Sequence, residues 1–191
     1  MVPAMLERFG TFMPRILTLC GSLRAASSNR SLLRAAERAA PAGVVFEHFE
    51  GLGELPHFNP DVEAGPLPAP VADLRARVEL ADAILISCPE YARGIPGSFK
   101  NGLDWLVGGP ELPGKPVALF NASPRASDAQ AALRLVLTTM SARVVDQACI
   151  AVPLLAGSRE AEAIAVDPEL RPILERGLAA LLAAIEPPQS D

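Results

Sequence analysis

Arg15–Cys20 is a continuous apolar run that passes through Gly21 into a turn of hydroxyls and arginine, and a helical pattern follows at once. A run without polar alternation suits a strand buried on both faces, the kind found in parallel sheets covered by helices. The motif recurs along the chain. Val44–Phe49 reads as a second, more exposed strand. Ala83–Cys88, with Ile84, Leu85 and Ile86 in a row and Pro89 at its end, reads as a third. Pro116–Asn121 is a fourth, and a fifth falls around Ala148–Val152.

Helical patterns fill the gaps. The first is capped by Ser28 or Asn29 and runs to about Ala40, where Pro41-Ala42-Gly43 ends it. The second, Val71 to Ala81, puts Val71, Leu74, Val78 and Ala81 on one face. Others span Ser98–Val107 and Asp128–Met140, and a last one is capped by Asp167, carries Pro168 in its first turn and runs to about Ile185. Gly51–Pro70, dense in Gly and Pro, reads as irregular. This alternation predicts one α/β domain: a five-stranded parallel sheet with right-handed crossovers and helices on both faces. A flavodoxin-like order of 2-1-3-4-5 would set the loops after strands one, three and four side by side. The domain is expected over 14–186, after an extension at 1–13 expected to be disordered and before a tail at 187–191. Translation from Met13 is the alternative reading of that extension, which resembles neither a signal peptide nor a membrane span.

Composition narrows the function. With 191 residues, half of them hydrophobic, the chain can bury one full core. A net charge of −5 and 5% aromatics argue against a nucleic-acid partner, which needs a basic face or a stacking platform. The three cysteines, Cys20, Cys88 and Cys149, lie in or beside apolar runs without a C-x-x-C, so buried, reduced thiols of a cytoplasmic protein are expected. His48 and His57 are the only histidines and stand apart, so no metal site is expected.

In open parallel sheets, ligands sit outside the carboxyl ends of the strands. Three loops fall there: Gly21–Asn29, Pro89–Gly97 and Asn121–Ser127. The first offers the hydroxyls of Ser22, Ser27 and Ser28, the Asn29 amide and the Arg24 charge at a helix N-terminus. No Asp or Glu lies between Met13 and Glu37, so that positive field stands uncancelled and suits an anion. The loop is neither G-x-G-x-x-G nor G-x-x-x-x-G-K-[ST]. It therefore favours the single terminal phosphate of a mononucleotide such as FMN over NAD or ATP. The competing reading is a capped strand-to-helix turn that binds nothing.

Gly21-Ser22-Leu23-Arg24-x-x-Ser27-x-Asn29, taken with Pro89-Glu90-Tyr91 and the run Pro96-Gly97-Ser98-Phe99-Lys100-Asn101-Gly102-Leu103-Asp104-Trp105, resembles the NADPH-dependent FMN reductase family. That family includes quinone, chromate and azo reductases of the flavodoxin-like superfamily, and the resemblance spans about Pro14 to Val152. It implies that Ser22, Arg24, Ser27, Ser28 and Asn29 hold the FMN phosphate. Pro89, Glu90, Tyr91, Ala92 and Gly94 would wrap the flavin ring, and Ser123, in Asn121-Ala122-Ser123-Pro124-Arg125, would lie on its other side. It also implies NADPH (or NADH) as co-substrate, a small electron acceptor, ping-pong turnover and a homodimer or homotetramer.

Two departures stand out: Ala92 replaces the family's Asn, and Arg125-Ala126 replaces its Gly-Gly. No side chain is assigned a catalytic role, because a flavin carries the hydride chemistry itself. For Glu90, the backbone is expected to matter more than the carboxylate. Tyr91 either covers the flavin, packs at a subunit contact or faces solvent. Arg93 and Arg125 either receive the NADPH 2′-phosphate or are plain surface charges. Lys100, Asn101 and Asp104 read as architectural, and Phe99, Leu103 and Leu106 as a core stripe. Asp61 and Glu63 belong either to a loop reaching a neighbouring subunit or to an acidic surface loop. Two functions of other classes share the fold: an FMN electron carrier without reductase activity, and a flavin-free binding protein.

Overall fold

The computed structural model describes residues 12–123, 127–154 and 160–185. β1 (Arg15–Cys20), β2 (Val45–Phe49), β3 (Ala83–Ser87) and β4 (Pro116–Asn121) form a parallel sheet whose fifth position holds β5 (Arg143–Val144) and β6 (Ile150–Ala151). Spatial order is β2-β1-β3-β4-β5, with β6 also paired to β4. This is the flavodoxin-like order, reversing direction between β1 and β3. Register sets Leu17 beside Ile84, Leu85 beside Ala118 and Phe120 beside Ile150.

Alternation along each strand divides the interior into two cores. Ile16, Leu85 and Phe120 pack beneath α1 (Ser28–Ala39), a later short helix and the last helix, through Leu32, Leu33, Ile164, Leu174 and Leu181. Leu17, Leu19, Ile84 and Ile86 meet Val71, Leu74, Phe99, Leu103, Trp105 and Leu133 on the other face. Those residues come from α3 (Ala69–Leu80), α4 (Gly97–Val107) and α5 (Ser127–Thr139). Each large aliphatic side chain buried this way contributes roughly 1.5–3 kcal/mol. The Phe99, Leu103 and Leu106 stripe lies wholly in this second core.

Four sequence expectations change. The cap of α1 is Ser27, one residue before the two expected, and its Oγ accepts from Arg30 N. The fifth strand is not continuous. Polar Asp146-Gln147 cannot extend an apolar strand, so a 3₁₀ turn at Asp146–Ala148 separates β5 from β6 and Arg134 of α5 pairs with Asp146. After β6 comes a short helix that periodicity missed, α6 (Ala161–Val166). Asp167 does accept from the Glu169 and Leu170 amides at 2.9 and 3.2 Å, but α7 (Arg171–Ala183) begins only after that turn.

The Gly51–Pro70 stretch carries a 3₁₀ turn at Gly51–Glu54 and the single-turn α2 (Pro60–Glu63), capped by Asn59. It folds back on its own chain. Trp105 Nε1 and Asn101 Nδ2 both donate to the Pro56 carbonyl, at 2.8 and 2.9 Å, and Phe58 N donates to Asn101 Oδ1 at 2.8 Å. Phe58 also meets Trp105 edge-on at 5.1 Å. Arg75 donates to the Trp105 carbonyl at 2.9 and 2.8 Å and pairs with Glu63. The Asn and Trp of the second motif thus serve to hold the loop after β2.

Candidate active site

β1, β3 and β4 end side by side, so their loops converge at the carboxyl edge of the sheet. Gly21 N donates to the Ser87 carbonyl at 2.9 Å, extending the β1–β3 ladder by one residue. A Cβ at Gly21 would lie 3.1 Å from Cys88 Cα and press into Cys88 Sγ, so only glycine permits this approach. Beyond Gly21 the chain turns. Ser22 is buried, its Oγ accepting from Arg24 N at 3.4 Å, while Arg24 itself is exposed.

The turn delivers Ser27 to the cap of α1. Neither the first turn of that helix nor the loop before it holds an acidic residue. The leading amides of α1, those of Ser28 and Asn29, have no carbonyl within the helix to bond, as in any helix. Asn29 is buried, and its Oδ1 accepts from Ser87 Oγ at 2.9 Å. That bond turns the amide oxygen inward, leaving the Nδ2 group as the donor available to a ligand. In the same turn, Arg30 pairs with Glu50 at 3.3 Å, yet its buried Nε has no hydrogen-bond partner. Hydroxyls and helix amides thus gather at the N-terminus of α1, donors of the kind an anion needs, while Arg30 is engaged by Glu50.

The second loop is a tight hairpin. Tyr91 N donates to the Gly94 carbonyl at 3.1 Å and Gly94 N to the Tyr91 carbonyl at 3.0 Å. Ala92 and Arg93 between them take φ of 49° and 63°, the two positive values of a type I′ turn. Conformational freedom is therefore needed at Ala92 and Arg93, not at Gly94. Tyr91 is half exposed and Arg93 projects into solvent.

The Glu90 carboxylate has a definite partner: its Oε2 accepts from the Asp128 and Ala129 amides, both at 2.9 Å, in the first turn of α5. Arg93 Nε donates to Asp128 Oδ2 at 2.6 Å. Of the third loop, Ser123 N donates to Asn121 Oδ1 at 3.0 Å, while Pro124, Arg125 and Ala126 lie outside the described residues. Ser22, Ser27, Ser28, Asn29 and the Pro89–Gly94 hairpin are thus brought to one edge, linked through Ser87, Cys88 and Glu90. Sequence reasoning missed Ser87, Arg30 and the Glu90 carboxylate as parts of this edge. The position of Ser87 at the end of an otherwise apolar strand was the one available signal.

The thiols do not join the chemistry. Burial pushes Cys20 above the usual thiol range and Cys88 up to about 12, so both stay protonated at neutral pH. All three cysteines are free. Among the described residues there is no cluster of three or more metal-ligating side chains, and no helix is long and apolar enough to cross a membrane. At the opposite, amino edge lies a depression of about 670 Å³ lined by Glu79, Asp82, Glu111, Lys115 and Arg143. Its cations are committed: Lys115 Nζ donates to the Ala81 carbonyl at 2.6 Å and Arg143 to the Ala184 carbonyl.

The sheet order and its flanking helices define a flavodoxin-like α/β sandwich, with helix amides and hydroxyls at its carboxyl edge. The chain belongs to the NADPH-dependent FMN reductase family, which residues 14–157 match. It is 30% identical over 172 residues to an NAD(P)H-dependent FMN reductase of Pseudomonas aeruginosa, covering 87% of this chain and 92% of that one. A quinone reductase of Escherichia coli K12 is 36% identical over 113 residues, 57% of this chain and 60% of the relative. Among solved structures, FerB, a flavoenzyme NAD(P)H:acceptor oxidoreductase from Paracoccus denitrificans, superposes with a TM-score of 0.72. That match has 31% identity and covers 89% of this chain and 96% of FerB.

Proposed function

We propose that this protein is an FMN-dependent NAD(P)H oxidoreductase that passes electrons from NADPH, or NADH, through bound FMN to a small acceptor. Quinones lead the acceptor class, with free flavins, azo compounds and chromate behind them. The observation that carries this reading is the N-terminus of α1, where hydroxyls, an inward-turned Asn29 and an unpartnered Arg30 Nε meet no acidic residue in the helix's first turn. Such a cradle fits one terminal phosphate and has no glycine-rich turn for a pyrophosphate.

Ser22, Ser27, Ser28 and Asn29 would hold the phosphate, and exposed Arg24 would close over it with a full charge. The hairpin Pro89-Glu90-Tyr91-Ala92 to Gly94 would present backbone groups to the polar edge of the ring, with Ser123 opposite. When bound, FMN supplies the hydride and electron chemistry that no side chain at this edge provides. The chain's own task is to bind, orient and leave one face of the site open. A single open face admits donor and acceptor in turn, which gives parallel lines in double-reciprocal plots.

A homodimer or homotetramer fits the exposed apolar residues Tyr91, Val107 and Leu135, the last 70% accessible. Reduced thiols and NADPH as donor suit a cytoplasmic setting. The test is direct. Apo-protein is mixed with FMN, desalted, and its absorption spectrum recorded before and after NADPH. Yellow protein bleached by NADPH is expected. Yellow protein indifferent to NADPH would make it an electron carrier, and protein that retains no FMN would overturn the reading.

A further inference from the structure

α1 and α5 both point their N-termini at the carboxyl edge, and the chain treats them differently. The first turn of α1 holds no carboxylate, whereas that of α5 is already occupied by one from the chain itself. Glu90 Oε2 accepts hydrogen bonds from the Asp128 and Ala129 amides at 2.9 Å each, and Arg93 Nε donates to Asp128 Oδ2 at 2.6 Å. Both tethers leave the same hairpin, whose tip holds Ala92 and Arg93 at φ of 49° and 63°. Two side-chain-bearing residues in the left-handed region persist only where surrounding contacts over-determine them.

We infer that Glu90 is a positioning residue: its carboxylate clasps the Pro89–Gly94 hairpin to the first turn of α5, so that the two move as one body. The inference rests on the reading of this hairpin as the flavin-ring loop. Oε2 accepts both amide hydrogen bonds of that turn, a pairing favoured at the positive end of a helix. Glutamine can make the same two bonds through its carbonyl oxygen, and alanine can make neither. The pair Glu90→Gln and Glu90→Ala therefore separates a clasp from an acid.

Amide hydrogen exchange on the flavin-free chain reads the clasp itself. The Asp128, Ala129, Tyr91 and Gly94 amides should be protected in the wild type and in E90Q, and should exchange roughly tenfold faster in E90A. Titration with FMN and with riboflavin reads its consequence. E90A should weaken both by about tenfold, because the ring loop and not the phosphate cradle is released, and E90Q should stay within about threefold of wild type. Unchanged exchange in E90A overturns the inference. So does E90Q binding as weakly as E90A, or a loss for FMN that riboflavin does not share. A wild type that binds neither flavin would instead overturn the functional reading, while the exchange rates still decide the clasp.

Discussion

Ala92 sits at φ 49° where the family carries Asn. A β-carbon in that conformation crowds the following carbonyl, at roughly 1–2 kcal/mol, whereas Asn and Gly enter it readily. Ala92→Asn should therefore raise stability by about 1 kcal/mol, read as a higher urea midpoint with unchanged slope. An unaltered midpoint would show that the tip is not strained. Arg24 is exposed beside buried Ser22, and in the proposed function its charge would close over the phosphate. Arg24→Ala should weaken FMN binding by about one to two orders of magnitude, as expected from one charged bond of roughly 1.5–3 kcal/mol. Fluorescence titration of apo-protein checks this, and equal affinity in the mutant would remove Arg24 from the site. The residue types at this edge could be read from the sequence. Ser27 as the cap, instead of Ser28 or Asn29, could not, because all three can cap and only the helix's entry angle decides.

At the scale of elements, α4 holds the loop after β2 in place. Its Asn101 and Trp105 both hold the Pro56 carbonyl, and its Trp105 carbonyl holds Arg75. Asn101→Ala leaves the Phe58 amide without its acceptor and removes one donor from Pro56, a loss of about 1–3 kcal/mol. Limited proteolysis should then cut first within residues 56–63 while the sheet stays resistant. Cleavage at the wild-type rate would mean that Trp105 alone suffices. Strand limits were legible where an apolar run meets Pro or Gly: Arg15–Cys20 and Pro116–Asn121 form as read. Where the sheet's last position is built from two-residue pieces around a 3₁₀ turn, the local pattern carried too little signal. The loop after β2 looked featureless because its order comes from partners more than forty residues away.

For the whole molecule, the partly buried polar chain Thr18–His48–Glu37 ties β1, β2 and α1 together. A carboxylate only accepts, so His48 Nε2–H donates to Glu37 at 3.0 Å and Nδ1 accepts the Thr18 hydroxyl at 2.6 Å. Burial pushes the imidazole below its usual value of 6.5, against the pull of Glu37. The folded state therefore resists protonation of His48 more than the unfolded chain does. Above 6.5 both states are neutral and nothing changes; as pH falls through 6.5, the unfolded chain gains a proton that the folded chain refuses. Stability from this site should fall with pH until folded His48 itself titrates. Urea midpoints at about pH 7.5 and about pH 5.5 should differ, and the difference should shrink in His48→Gln. An equal difference in the mutant would place the pH dependence elsewhere.

The sequence by itself determined the layers and the run of strands and helices, and pointed to the carboxyl edge, because hydrophobic period and turn residues act over short spans of chain. Only the tertiary structure decided how that edge is assembled. Asn29 meets Ser87 across 58 positions and Glu90 meets α5 across 38, pairings made by the parallel register of β1, β3 and β4. A buried donor must find whatever acceptor the packed neighbours place before it, and no local pattern names that neighbour.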